Sequence, residues 1–171
     1  MIYDTLETDL AGILVMAADA EGLRHLNFLD GKHPLTVENT WRRDPDRFTM
    51  VKNQLSEYFA GKRKTFDVNL FAQGSPFQMK VWSILLTIPY GTVVSYQWVA
   101  RRIGSPEAAR AVGTANGRNP IAIIIPCHRV IGKHGHLTGF GGGLEVKRKL
   151  IRLENPTGCP ARPLEQPFKD R

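Results

Sequence analysis

Residues 75–117 read SPFQMKVWSILLTIPYGTVVSYQWVARRIGSPEAARAVGTANG, and their punctuation decides the fold of the C-terminal half. Ser75 is placed to cap a helix and Pro76 to occupy its first turn. Phe77, Val81, Trp82, Leu85 and Ile88 then recur at helical spacing as one apolar stripe. Pro89 and Gly91 break it. Ser95 starts a second helix over 95–103, with Val99 and Ile103 inward. Gly104 stops that helix, Ser105 caps a third and Pro106 opens it. Two short helices joined by a tight Gly-Ser turn form a helix-turn-helix pattern, a pairing that plain helical cores also use.

The third helix is slim. Ala108, Ala109, Ala111, Gly113 and Ala115 leave little bulk, so it can approach a DNA groove closely or pack tightly on another helix. Arg110 is the one long side chain among them. It can reach a phosphate, a base edge or the base stack, or form a surface ion pair.

Upstream, residues 2–8, about 12–18 and about 23–29 read as short strands bounded by Gly and acid-rich turns, which suits a small antiparallel sheet. Residues 30–46 read as a loop. Residues 47–60 read as a helix, with Phe48, Val51, Leu55, Tyr58 and Phe59 on one side and Gly61 at its end. KRKTFDVNL, 62–70, is a further candidate strand. The expected fold is α+β: a small N-terminal antiparallel sheet with a helix (1–74), then a mainly helical unit with a helix-turn-helix and an active-site loop (75–155). A tail follows (156–171), expected to be poorly ordered or draped on the surface.

The charge follows the same division. The 171 residues carry a formal net charge of +7. Residues 1–74 hold 9 basic and 11 acidic side chains, and residues 75–171 hold 14 and 5, so the basic excess lies wholly in the second half. That asymmetry suits one face for a polyanion and does not by itself name DNA. No run of 18 apolar residues is present, and the basic residues are not set opposite an apolar stripe, so no membrane partner is expected. An acidic N-terminus and only two cysteines point to a reducing, cytoplasmic setting.

One apolar run, Ile121-Ala122-Ile123-Ile124-Ile125-Pro126, leads into Cys127, His128 and Arg129. The run reads as a buried strand that delivers a cysteine and a histidine to its end. A Gly-rich loop, 132–143, follows, then a helix over roughly 144–154. A cysteine here is either an inert buried residue or a nucleophile whose thiolate is favoured by His or positive charge. Adjacent side chains diverge on an extended strand, so contact between Cys127 and His128 needs a turn or a bridging water. Glu154 is the candidate to orient His128, because acids are scarce from Cys127 onward. Cys159 has no such setting and reads as incidental. His25 and His33 read as surface or sheet residues. His134 and His136 lack a third ligand, so no metal is expected.

The segment IPCHRVI, 125–131, resembles the active-site segment of the O6-alkylguanine-DNA alkyltransferases, also called methylated-DNA–protein-cysteine methyltransferases. The resemblance extends through the helix-turn-helix and through TGFGGGLEVKRKLIRLE, and it covers residues 75–155; upstream it is loose. It implies a stand-alone repair protein that binds duplex DNA and flips out the damaged base. The O6-alkyl carbon of guanine, or the O4-alkyl carbon of thymine, would then pass to a cysteine once and irreversibly, without cofactor or metal. Cys127 would be the nucleophile, His128 would take its proton through a water, and Glu154 would orient His128. Asn119 would hold the loop, and Tyr96 would give a proton or hydrogen bond to guanine N3. Arg110 would enter the stack, with Ser95, Tyr96, Ala109, Thr114 and Ala115 at the DNA. Pro126, Val130, Phe140, Gly141 and Lys147 would form the alkylguanine pocket. The carbonyls of Cys127 and Val130 would face the guanine amine, and Lys147 would support the thiolate or the Asn119 network. A monomer is expected, with cooperative contacts along DNA a role open to the N-terminal half.

Phe140 stands where many members carry tyrosine, and Gly141 where some carry serine. The first change removes a hydroxyl; the second implies a more mobile loop and a wider pocket. Three other readings compete: a non-enzymatic alkylated-DNA sensor, in which the cysteine is replaced, a plain helix-turn-helix regulator, and a cysteine hydrolase, which would turn over.

Overall fold

The computed structural model describes residues 1–157. Expectations that concern Cys159 and the tail beyond it lie outside the described residues. Strands β1 (Ile2–Thr8), β2 (Gly12–Ala18) and β3 (Leu23–Phe28) form an antiparallel sheet. The two-residue β4 (Arg42–Arg43) adds to β1 in parallel, giving the order β3-β2-β1-β4. The sequence reading placed β4 inside a loop; two residues are too few to show a period. The middle strand β2 buries Leu14, Val15, Met16 and Ala17 in succession.

Helix α1 (Thr49–Phe59) follows a 3-10 turn at Asp46–Phe48 and lays Val51, Leu55 and Tyr58 into the core. The candidate strand over 62–70 does not form; only Leu70 makes an isolated bridge, to Leu23. The side-chain amide of Gln54 on α1 meets both backbone groups of Asp67, at 3.0 and 2.8 Å, and takes the place of a strand partner there.

Helix α2 (Pro76–Leu85) begins as its sequence indicates: Ser75 and Gln78 form a reciprocal capping box and Pro76 fills the first turn. The short β5 (Val94–Ser95) runs into α3 (Tyr96–Arg102), where the Ser95 hydroxyl accepts from the Trp98 amide. Helix α4 (Ala109–Gly117) starts later than the Ser105–Pro106 signal suggests. Pro106–Ala108 form a 3-10 turn and the Ser105 side chain makes no cap. Helices α3 and α4 pack on each other and on α2, as a helix-turn-helix pair. The strand β6 (Val130–Ile131) pairs with β5 in parallel, and α5 (Gly143–Glu154) closes the described chain. One cluster of buried side chains runs from Leu14 and Leu26 through Leu55 and Tyr58 to Trp82, Val99 and Ile125, so both halves share a core.

The run Ile121–Ile125 is buried but is not a strand. Ile121 and Ala122 dock on the β3 edge, where Leu26 donates to the Pro120 carbonyl and accepts from Ala122, both at 2.9 Å. The chain then folds back: the Ile125 amide bonds the Ile121 carbonyl at 3.0 Å. Asn119 clasps the two ends, accepting from the Ile121 amide at 3.1 Å and donating to the Ile125 carbonyl at 2.8 Å. Four extended residues would span about 13 Å and put that clasp out of reach. The turn forces Ile123 to φ 72°, which is rare for a β-branched residue.

Candidate active site

The folded-back run ends in a 3-10 turn over Cys127–Arg129. It therefore presents Cys127 and His128 on a turn, not at the end of a strand. Cys127 is 4% exposed, and its carbonyl accepts from Asn116 Nδ2 at 3.2 Å. Burial pushes the Cys127 thiol up; a hydrogen bond from Asn119 and the Lys147 charge oppose this without overcoming it. The resting sulfur is accordingly a protonated thiol, not the lowered-pKa thiolate that its neighbours in sequence suggest. A base must take its proton before it can act as a nucleophile.

His128 is fully buried, with Nε2 2.7 Å from Oε1 of Glu154. The same Oε1 accepts from the Tyr58 hydroxyl at 2.7 Å and from Arg129 Nη2 at 3.0 Å. Oε2 accepts from Arg129 Nε at 2.8 Å and from the Gly91 amide at 3.1 Å. Gly91 sits at φ 76°, and a Cβ there would lie 2.9 Å from the Glu154 carbonyl, so this contact requires glycine. Burial pushes the Glu154 carboxyl up, but His128 and the bidentate Arg129 outweigh it and hold the group well below the usual carboxylate range. Burial, aided by Arg129 and Lys147, pushes the His128 imidazole down against the pull of Glu154. An ionised carboxylate only accepts, so Nε2 carries the imidazole proton. Nδ1 then holds a lone pair, and among the described residues it has no hydrogen-bond partner.

Lys147, fully buried on α5, donates to the Val130 carbonyl at 2.6 Å and to the Thr138 carbonyl at 2.9 Å. Burial lowers it to about 8, and the nearby Cys127 opposes that fall. The Tyr96 ring lies 5.8 Å from its Nζ, and the Tyr96 oxygen accepts from the Thr138 hydroxyl at 3.0 Å. Burial raises the Tyr96 phenol, so its own proton stays in place and can be donated.

Two cavities meet at this site. A cleft of about 550 Å³ is lined by Tyr96, Ala109, Arg110, Gly113, Thr114 and Phe140, among others. A smaller cavity of about 220 Å³ reaches Cys127 between Asn27, His33, Asn116 and Phe140. Both share His33, Gly117, Phe140 and Gly141, so the cavity that Cys127 lines adjoins the open cleft. Of the residues assigned to DNA by resemblance, Tyr96, Ala109, Arg110 and Thr114 line the cleft. Ser95 and Ala115 are buried beneath it, with the Ser95 hydroxyl on Trp98 and the Ala115 carbonyl on Trp82. Phe140 packs edge-on to Phe28 at 5.3 Å and to His128 at 6.5 Å. Pro126 lines neither of these cavities but a third, with Lys64, Phe66, Tyr90 and Arg129. His134 and His136 are exposed, and among the described residues no group of three metal-ligating side chains is found.

Sequence reasoning missed five contributors. Tyr58 looked like one more apolar position of an amphipathic helix. Arg129 was read as a neighbouring positive charge and not as the partner of Glu154. Thr138 was one polar residue in a Gly-rich loop. His25 and His33 looked like surface or sheet residues, yet both line the cavity that reaches Cys127. No local pattern marks any of them, because each partner is distant in the chain.

Residues 76–156 match the family model of the 6-O-methylguanine DNA methyltransferase DNA binding domain, and residues 1–72 match that of its ribonuclease-like domain. The chain is 48% identical over 154 residues to the methylated-DNA–protein-cysteine methyltransferase of Methanosarcina acetivorans, covering 90% of this chain and 98% of that one. It is 46% identical over 158 residues to the constitutive enzyme of that name in Bacillus subtilis, covering 89% and 94%. The crystal structure of Mycobacterium tuberculosis OGT in complex with DNA superposes with a TM-score of 0.85 at 48% identity, covering 91% and 94%.

Proposed function

Because this chain belongs to the 6-O-methylguanine DNA methyltransferase family, we propose that Cys127 is the sulfur that receives the alkyl group. The protein is a direct-reversal DNA repair alkyltransferase, a suicide enzyme that moves an alkyl group onto a cysteine of its own. Its substrate is DNA, and the site reading concerns how the described residues perform the transfer.

The base enters through the cleft lined by Tyr96, Ala109, Arg110 and Thr114, after rotating out of the duplex. Arg110, exposed on the slim α4, fills the gap left in the stack. The Cys127 proton passes to His128 Nδ1 through a water, and the imidazolium is held by ionised Glu154. The sulfur then bonds to the O6-alkyl carbon while the C–O6 bond breaks and its electron pair stays on guanine. Tyr96 gives its hydroxyl proton to guanine N3, so the leaving base departs neutral. Lys147 contributes positive charge beside the sulfur and pins the Val130 carbonyl, which faces the guanine amine. The thioether has no leaving group comparable to guanine, so each molecule reacts once.

One observation carries the residue assignment. A buried cysteine lines a cavity and lies next in sequence to an imidazole whose Nε2 is committed to a carboxylate. We assign residues 1–74 the buttressing role: α1 and β3 pack under the active-site turn, while residues 75–155 carry the chemistry and the DNA face. The protein acts as a monomer in the cytoplasm. The test is intact-mass measurement after incubation with duplex DNA carrying O6-methylguanine. The expected result is a gain of one methyl group per chain, mapped to Cys127 and abolished in Cys127→Ala. Repeated turnover with an unmodified thiol would overturn the reading in favour of a hydrolase.

A further inference from the structure

Tyr58 lies on α1, in the half of the chain where the sequence offers no catalytic candidate. Its side chain is fully buried, with its ring 5.4 Å from Phe66, 5.5 Å from Phe59 and 6.1 Å from Tyr90. Its hydroxyl donates to Glu154 Oε1 at 2.7 Å and lies 3.5 Å from His128 Nε2. An aromatic residue needed only for packing would be served by phenylalanine, whose burial costs no hydroxyl desolvation. Here the hydroxyl spans from the N-terminal half to the carboxylate that orients the base.

We propose that Tyr58 is a positioning residue for alkyl transfer: its hydroxyl shares Oε1 of Glu154 with His128 and tempers the carboxylate, so that the imidazole stays neutral with Nδ1 available as the base. The proposal rests on the reading of Cys127 as acceptor and His128 as its base. The physical reason is competition for one oxygen. Each donor on Oε1 draws charge from the carboxylate and weakens its hold on an imidazolium. The charged and titratable groups facing His128 are Glu154 and Lys147 from α5, Arg129 from its own turn, and Tyr58 from α1 with Tyr90 behind it. Arg129 and Lys147 disfavour a second positive charge, and Glu154 favours it. Tyr58 tempers Glu154, and burial keeps its phenol protonated, so it remains a donor.

The experiment is the pH dependence of the single-turnover rate on duplex DNA with O6-methylguanine, for the protein and for Tyr58→Phe. Losing the hydroxyl makes Glu154 a better partner for an imidazolium and moves the acid limb up by about one pH unit. The rate below the limb then falls about tenfold, while the alkaline plateau changes less than about threefold. A 3-fluorotyrosine at position 58, nearly isosteric and a stronger donor, moves the limb the opposite way. Nitrogen-15 NMR of His128 in the unaltered protein is expected to place the proton on Nε2. A folded Tyr58→Phe protein with an unmoved acid limb would overturn the proposal, and so would a His128 proton found on Nδ1. If Tyr58→Phe does not fold, the fluorotyrosine shift and the NMR signal decide. If the unaltered protein gains no alkyl group, the functional reading fails first; if it gains one and the limb does not move, only the role of Tyr58 fails.

Discussion

Arg129 grips both oxygens of Glu154, Nε to Oε2 at 2.8 Å and Nη2 to Oε1 at 3.0 Å, inside a site where both side chains are almost wholly buried. The carboxylate that orients His128 is thus already neutralised by a neighbour of the histidine. With His128, Arg129 keeps Glu154 ionised, and its charge makes a second positive charge on His128 costly, which suits the base role proposed for His128.

Glu154→Gln should therefore damage both stability and rate. It leaves Arg129 buried without a counter-charge, a loss of about 3–5 kcal/mol for a broken buried pair. Urea unfolding of the two proteins at neutral pH measures the first effect, and single-turnover transfer the second. A Glu154→Gln protein as stable as the parent would mean that Arg129 finds another partner.

Stability should decline on the acid side in two steps. The folded pKa of His128 is depressed by burial below its ordinary 6.5, so below that value the unfolded chain binds a proton that the native state refuses. Stability then falls as pH drops from about 6.5 toward the folded pKa of His128. Glu154 is depressed as well; its contribution is present above its unfolded value of 4.5 and is lost as pH falls below that. Denaturant midpoints for the protein and for His128→Asn, taken from pH 8 to pH 4, check this: the first step should shrink in the variant and leave the part due to His25, whose imidazole burial also pushes down.

The loop between β3 and β4 should govern access to the thiol. The Lys32 amide donates to the Gly141 carbonyl at 2.8 Å, and a Cβ on Gly31 would sit 2.7 Å from that carbonyl. Backbone cannot yield as a flexible side chain can, so Gly31→Ala should displace the active-site loop and slow transfer by about tenfold at a cost of 1–3 kcal/mol in stability. Gly141 differs, since a Cβ there meets only Phe28 at 3.9 Å. Gly141→Ser should fold normally and lower the rate ratio of O6-benzyl to O6-methyl guanine. A ratio that did not fall would end the wider-pocket idea.

Phe140→Tyr restores a hydroxyl on a ring that is 3% exposed and packed on Phe28 and His128. Its effect should be bounded by one net hydrogen bond, about 0.5–1.5 kcal/mol, or roughly 2–10-fold in affinity or rate. Transfer kinetics with both alkyl groups measure it, and identical values would make the hydroxyl immaterial here.

Arg110→Ala should separate base flipping from chemistry. Arg110 lines the cleft and is exposed, whereas Cys127 is buried and lines the adjoining cavity. Transfer from duplex DNA should drop by about 10–100-fold, because an emptied stack costs a few kcal/mol, while transfer from free O6-benzylguanine stays the same. Equal losses on both substrates would place Arg110 in the chemical step instead.

Local signals made the three long strands, the Ser75–Pro76 helix start and the helix pair around Gly104 legible, because periodicity, capping and turn chemistry act over a few residues. The pairing of His128 with Glu154 was legible from residue type and from resemblance. Where the expectations failed, the partner was remote. The Ile121–Ile125 run has the composition of a strand, but the Asn119 clasp folds it back and turns Cys127 and His128 into a 3-10 turn. The segment over 62–70 lost its strand to the side chain of Gln54.

The amino-acid order thus determined which groups are present and which elements carry them. Folding alone decided their states. Burial favours the thiol form of Cys127, and burial, with Arg129 and Lys147, disfavours a charge on His128. Tyr58, 70 residues before His128, came to the same carboxylate. Ionisation and hydrogen bonding depend on what surrounds an atom in space, and a linear string carries that only through the fold.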